Sequence, residues 1–178
     1  MAGKIRDRRM PRRVLDLVLP SLLLLLVSCG QVVFHEHISF DDGVWSKCDT
    51  LTFMYDGALD RDNTAGYDLS VKLRTDASYP YKDLDVLVES IDMRTGGTIS
   101  VDTLHCAVFD DYGHRLGSTA GMLYQIESEQ VYVPKGLGDS IRIRLVHSMH
   151  DKELHGVIDA GIMLSASSGR GQRQSSGK

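Results

Sequence analysis

Tyr67-Asp68-Leu69-Ser70-Val71-Lys72-Leu73-Arg74 is the stretch that decides the fold. Its apolar and polar residues alternate without exception. Successive side chains of an extended strand point to opposite faces, so this pattern sets one face against a core and the other in water. Two further stretches repeat it. Ile141, Ile143 and Leu145 alternate with Arg142 and Arg144, and Leu51, Phe53 and Tyr55 alternate with Thr52 and Met54. Val71, Leu73, Ile143 and Leu145 are therefore expected in the core, with Lys72 and Arg144 outside. Leu84 to Met93 carries apolar residues on both faces, as a more central strand does.

The joints between these stretches carry turn chemistry. Asp56-Gly57, Arg94-Thr95-Gly96-Gly97, Asp110-Asp111-Tyr112-Gly113 and Lys135-Gly136-Leu137-Gly138-Asp139 all offer residues that accept unusual backbone angles. Tyr79-Pro80-Tyr81 reads as a rigid loop between two strands. Residues 116–126 are the least regular and leave room for a short helical turn. Seven or eight short strands separated by turns predict an all-β chain, an antiparallel β-sandwich of jelly-roll-like form over residues 34–164. From Ser165 onward no hydrophobe is larger than alanine. Such a segment buries too little to offset its ordering entropy, and residues 165–178 are read as a disordered tail.

The N-terminus has a different logic. The first thirteen residues hold Lys4, Arg6, Arg8, Arg9, Arg12 and Arg13 against the single acid Asp7, and an apolar run from Val14 to Val27 follows. A basic segment, a short apolar one and a small-residue cleavage site make a secretory signal, and the run is too short to span a bilayer. Met10 is an alternative start that leaves a signal of more usual length. Leu26-Val27-Ser28-Cys29 resembles the lipobox of bacterial lipoproteins. The resemblance implies a signal peptide over residues 1–28, a diacylglyceryl group on the thiol of Cys29 and an acylated new amino group. Residues 29–33 then form a lipidated tether. An ordinary secretory signal with a chance cysteine is the competing reading.

The chain holds 20 basic and 24 acidic residues, and the first 28 positions take 6 and 2 of them, so the remainder carries 14 against 22. Such an acidic product is a poor partner for nucleic acid or for lying flat on anionic lipid. Cys48 and Cys106 remain once Cys29 is used. Outside the cytoplasm they could bridge; as separate thiols they would pack like small hydrophobes.

Chemical signatures are few. His147, His150 and His155 lie close together with Asp151 and Glu153 between them, but the spacing fits no structural zinc pattern. They are read as a polar loop between strands at 141–146 and 157–164. His35 and His37 share one side of a strand-like lead-in. Asp110, Asp111 and Gly113 lack the spaced oxygens and closing glutamate of a calcium loop and fit a hairpin turn better. No nucleophile elbow, His-Glu-x-x-His or phosphate loop occurs. No catalytic residue, metal site or cofactor is expected. Trp45, the only tryptophan, is either a plug at one end of the core or an exposed platform for sugar or protein; the plug is preferred.

Phe34 through Asp42, Gly43-Val44-Trp45, Asp49-Thr50-Leu51-Thr52-Phe53, Tyr67 through Arg74, Tyr79-Pro80-Tyr81, Asp102-Thr103-Leu104, Gly113, Leu116-Gly117 and Gly156 through Ile162 together resemble the gliding-motility lipoprotein GldH family. They occur in family order over most of residues 34–164. The resemblance implies a Bacteroidetes-type lipoprotein of the cell envelope, associated with the gliding machinery, with no catalytic residues to carry over. Two functions follow for comparison. One is a non-catalytic structural or interaction component, anchored in the outer membrane, facing the periplasm and touching other envelope proteins of a motility or secretion assembly. The other is a carbohydrate-binding envelope lipoprotein. A single tryptophan, and no acids directly after Cys29, lean toward the first.

Overall fold

The computed structural model describes residues 32–57, 66–136 and 140–167. Residues 1–28, read as a signal peptide, Cys29 and residues 168–178 lie outside them. Two sheets share one core. The first runs β1 (Val32–Ser39), β12 (Val157–Ala166), β4 (Tyr67–Thr75), β8 (Leu123–Glu127) and β7 (Ser118–Ala120), with β9 (Val131–Val133) also pairing β4. The second runs β3 (Leu51–Asp56), β10 (Ser140–His147), β5 (Asp83–Asp92) and β6 (Thr98–Ala107). A small ribbon joins β11 (Glu153–His155) to β2 (Val44–Ser46). All these pairings are antiparallel.

Counting β8 and β9 as one interrupted strand, and setting the short β2, β7 and β11 aside, leaves eight strands. In chain order their sheets read 1-8-3-6 and 2-7-4-5. First pairs with eighth, second with seventh, third with sixth and fourth with fifth. This is one long antiparallel ribbon folded at the β5–β6 turn and rolled up, the jelly roll that the alternating strands predicted. The interruption in the sixth strand is bridged by Ser128. Its hydroxyl accepts from the Val71 amide at 2.9 Å and donates to the Glu129 carbonyl at 2.7 Å. A hydroxyl thus serves the backbone where the ladder lapses.

The predicted facing holds. Val71, Leu73, Ile143 and Leu145 are all buried in the common core, whereas Arg144 is exposed and Lys72 half-exposed. Phe34 of β1 packs on Tyr55 of β3, and Tyr55 on Tyr67 of β4, with ring centres 5.4 and 5.3 Å apart, so aromatic contacts bind the sheets to each other. β5 is central, between β10 and β6, as its two apolar faces predicted. No described strand covers its outer face, however, and Leu87 stays 40% exposed.

Several boundaries differ from the sequence reading. Val32 and Val33 belong to β1 rather than to a tether, because they continue its pairing with β12. Ser165 and Ala166 belong to β12 rather than to a disordered tail. β12 runs through Ala166, Ser165 and Ser167 are buried, and the Ser167 amide donates to the Gly66 carbonyl. Backbone pairing with Tyr67 and Asp68 holds there what side-chain composition does not. Residues 116–126 form the β7–β8 hairpin, with Gly121 at φ +65°, instead of a helical turn. His147 is not in a loop: it ends β10, fully buried, in phase with Ile143 and Leu145.

Candidate functional site

Two surfaces stand out. The first is one end of the sandwich. The segments 40–50, 76–82, 108–117 and 148–156 meet there, and polar contacts knit them together. Lys47 donates to the Met149 carbonyl at 2.7 Å, the Gly156 amide to the Gly43 carbonyl at 2.9 Å, and the Asp76 amide to the Gly156 carbonyl at 3.0 Å. Tyr81 bonds Asp151, and Lys82 pairs with Asp111 at 2.6 Å. Arg115 joins the middle. Its guanidinium lies over Phe109 and Tyr124, 4.6 and 4.3 Å from the ring centres, and donates to the Ala77 carbonyl at 3.1 Å. Sequence reading missed this residue, since only the fold brings its partners near. Beyond the knit, Tyr112 and Met122 are 87% and 88% exposed.

Beneath these loops lies the Trp45 plug. Trp45 is fully buried, as preferred from sequence. It stacks on Phe40 at 5.7 Å, meets the edge of His147 at 5.4 Å, and its indole N–H donates to the Asp49 carbonyl at 3.2 Å. Neither ring nitrogen of His147 makes a hydrogen bond of good geometry. Burial first, and then the positive charge of Lys47, hold the imidazole below its ordinary proton affinity; the Trp45 and Lys152 backbone and Asp49 pull the other way without prevailing. The unfolded chain, with a histidine pKa of about 6.5, therefore binds the proton better. This contribution to stability is complete above that pH and is lost as pH falls through it toward the depressed folded value. Thermal denaturation between pH 7 and 5 is expected to show a steeper loss in the wild type than in His147→Phe. Parallel slopes would rule the imidazole out as the cause. Asp76 and Asp110, whose carboxyls are held low by hydrogen bonds from Ser78 and the His114 amide respectively, matter only at lower pH.

Other candidate positions separate. Cys48 and Cys106 are both free, so the bridge left open by the sequence is not formed. Cys106 ends inside the core on β6, where burial pushes its thiol pKa to about 12, while Cys48 sits in an exposed turn. His147 is inside the core, whereas His150 and His155 are exposed, so the three histidines do not share an environment. Asp110 spends one carboxylate oxygen on the Tyr112 and His114 amides, at 2.9 and 2.8 Å, closing its hairpin turn. Cys29 lies outside the described residues.

The second surface is the outer face of the first sheet. A depression of about 330 Å³ opens there across β1, β12, β4 and β8. Register explains its walls. His37, Gly161, Lys72 and Glu127 form one cross-strand row. Ser39, Asp159, Arg74 and Gln125 form the next, and His35, Met163 and Ser70 the one before. Gly161 leaves the middle of the central row empty. A Cβ there would collide with the Glu36 carbonyl oxygen, so glycine also lets β1 approach β12 closely. Lys72 pairs with Glu127, and Arg74 with the nearly buried Asp159. The Asp159 contact raises the Arg74 pKa, as a buried carboxylate requires a cationic partner. Among the described residues no group of three His, Cys, Asp or Glu side chains converges as a metal site.

Comparison with curated proteins and with solved structures finds no match. The family model described as GldH lipoprotein matches residues 32–164, from the first residue of β1 to two residues before the end of β12, and so takes in eleven of the described strands whole, most of the twelfth, and both surfaces. A match over the whole rolled ribbon, in agreement with the ordered motifs read from the sequence, makes this chain a member of the GldH lipoprotein family.

Proposed function

We propose that this protein is a lipid-anchored component of the gliding machinery of the cell envelope, held in the outer membrane on its periplasmic side, and that it works by contact rather than catalysis. The observation that carries the reading is the family match across the complete domain, together with the polarity of the domain itself. β1 starts beside the end of β12, at the opposite end from the four knit loops. Only Gly30 and Gln31 separate Cys29 from β1. Three residue steps span at most roughly 10 Å, so a lipid on Cys29 would keep the start of β1 near the bilayer. Loops on a rigid scaffold are where sandwiches present binding residues. The carbohydrate reading loses support, because Trp45, its best stacking platform, is inside the core.

Photocrosslinking in intact cells tests the proposal. A crosslinker in place of Tyr112 or Met122 should give discrete adducts with envelope proteins, and one in place of Thr95, in the exposed turn at the other end, should not. Deleting the gene should stop surface spreading, with rescue by the wild-type chain. Normal spreading without the gene would sink the motility role. Specific, saturable glycan binding by the purified protein, with no protein adducts, would replace it with the carbohydrate reading.

A further inference from the structure

We propose that His35, His37 and Met163 form a site for one monovalent copper ion on the outer face of the first sheet. Residues two apart on a strand share a face, so His35 and His37 both project outward from β1. The β1–β12 register sets Met163 directly across from His35 and Gly161 directly across from His37. Directly opposed side chains begin about 5 Å apart, which puts the Met163 thioether within reach of an ion held by the imidazoles. All three residues line the same depression.

The spacing suits the ion. An imidazole nitrogen binds a metal at about 2 Å, and the ring centre lies roughly 1.2 Å behind it, so two rings on one ion stand roughly 6.4 Å apart at a linear N–metal–N angle and roughly 5.5 Å apart at a trigonal one. The His35 and His37 ring centres are 6.2 Å apart, inside the linear separation, and closing by roughly 0.7 Å gives the trigonal arrangement that admits a third donor. Monovalent copper accepts linear two-coordination or trigonal three-coordination, and the thioether supplies the third donor. Both imidazoles are exposed and free to adjust, and Gly161 lets β1 lie close against β12, which brings the His37 ring near the floor of the depression.

The donor chemistry disfavours the commoner ions. Calcium and magnesium require oxygen ligands. Structural zinc takes four nitrogen, sulfur or carboxylate donors, and no third histidine, cysteine or carboxylate converges here among the described residues. Two neutral imidazoles and a thioether form a soft, uncharged set, which favours monovalent copper. The neighbouring cations do not oppose it, because Lys72 and Arg74 are neutralised by Glu127 and Asp159.

The test titrates the mature lipidated protein in detergent with copper(I), anaerobically and with bicinchoninate as competing chelator. Cys48→Ser serves as background, since an exposed thiol would bind copper by itself. One equivalent should bind. His35→Ala with His37→Ala should weaken binding at least a hundredfold, and Met163→Leu about tenfold. Met163→Leu should leave the weaker binding of zinc(II) unchanged, a split that general damage to the fold would not produce. His150→Ala should have no effect. Copper absorption spectra should show a sulfur neighbour that Met163→Leu removes. No stoichiometric binding, or binding unchanged in the double histidine variant, would overturn the proposal. So would tighter zinc than copper binding together with indifference to Met163→Leu.

Discussion

Cys29→Ala is expected to abolish incorporation of labelled fatty acid completely and to leave the chain uncleaved after Ser28. The thiol is the only atom at that position able to accept the diacylglyceryl group, and the signal peptidase of lipoproteins acts on the modified cysteine. One acyl chain alone gives only marginal, reversible membrane binding, so two or more are needed for a stable anchor. Loss is therefore all-or-none. Metabolic labelling followed by gel analysis of the precursor and mature forms reads both effects. A Cys29→Ala chain that still takes up label would show that the anchor lies elsewhere. The variant should also fail to restore surface spreading if contact at the envelope is the function, even with a normally folded domain.

Trp45→Ala is expected to be the most destabilising single truncation in the described domain, at about 3–5 kcal/mol. The indole is fully buried, stacks on Phe40, meets His147 edge-on, and caps the Asp49 carbonyl. Leu154, opposite it in the β2–β11 ribbon, is buried too, so the void has no flexible surface to collapse upon. For a domain of this size the loss lowers the melting temperature by roughly 10 °C or more. Circular dichroism should follow it, because the substitution removes the only tryptophan fluorophore. Trp45→Phe should recover part of the loss. Leu73→Ala and Leu145→Ala should cost about 2–5 kcal/mol, while alanine at Lys72 or Arg144 costs far less. Equal losses on both faces would mean that the strands are turned the wrong way.

Much of this was legible because strand facing is a local property. The alternation at 67–74 gave the inward residues of β4 without any knowledge of its neighbours. The same rule, extended two positions beyond Leu145, places His147 inside, in phase with Ile143 and Leu145. Its polar side chain was instead grouped with His150 and His155, and that grouping failed because backbone phase outweighed residue type. Ser165 was misread for a related reason. Composition reports how much a side chain can bury, whereas β12 is held there by main-chain bonds to β4.

The sequence by itself determined the class of the domain and the inward face of its main strands, and it singled out the basic and apolar N-terminal segment as the candidate signal and Cys29 as the candidate lipid acceptor. Each of these depends on neighbours within a few positions, where sterics and the two-residue period act. Only the tertiary structure decided which strands lie side by side. Val32 faces Ser165, and His35 faces Met163, across nearly the whole length of the described domain. Such pairings are fixed when the rolled ribbon closes on one core, because burying both inner faces at once selects a single register and a slip by one residue would turn each strand inside out. Arg115 between two rings, Asp159 under Arg74, and the two histidines beside a methionine exist only after that closure.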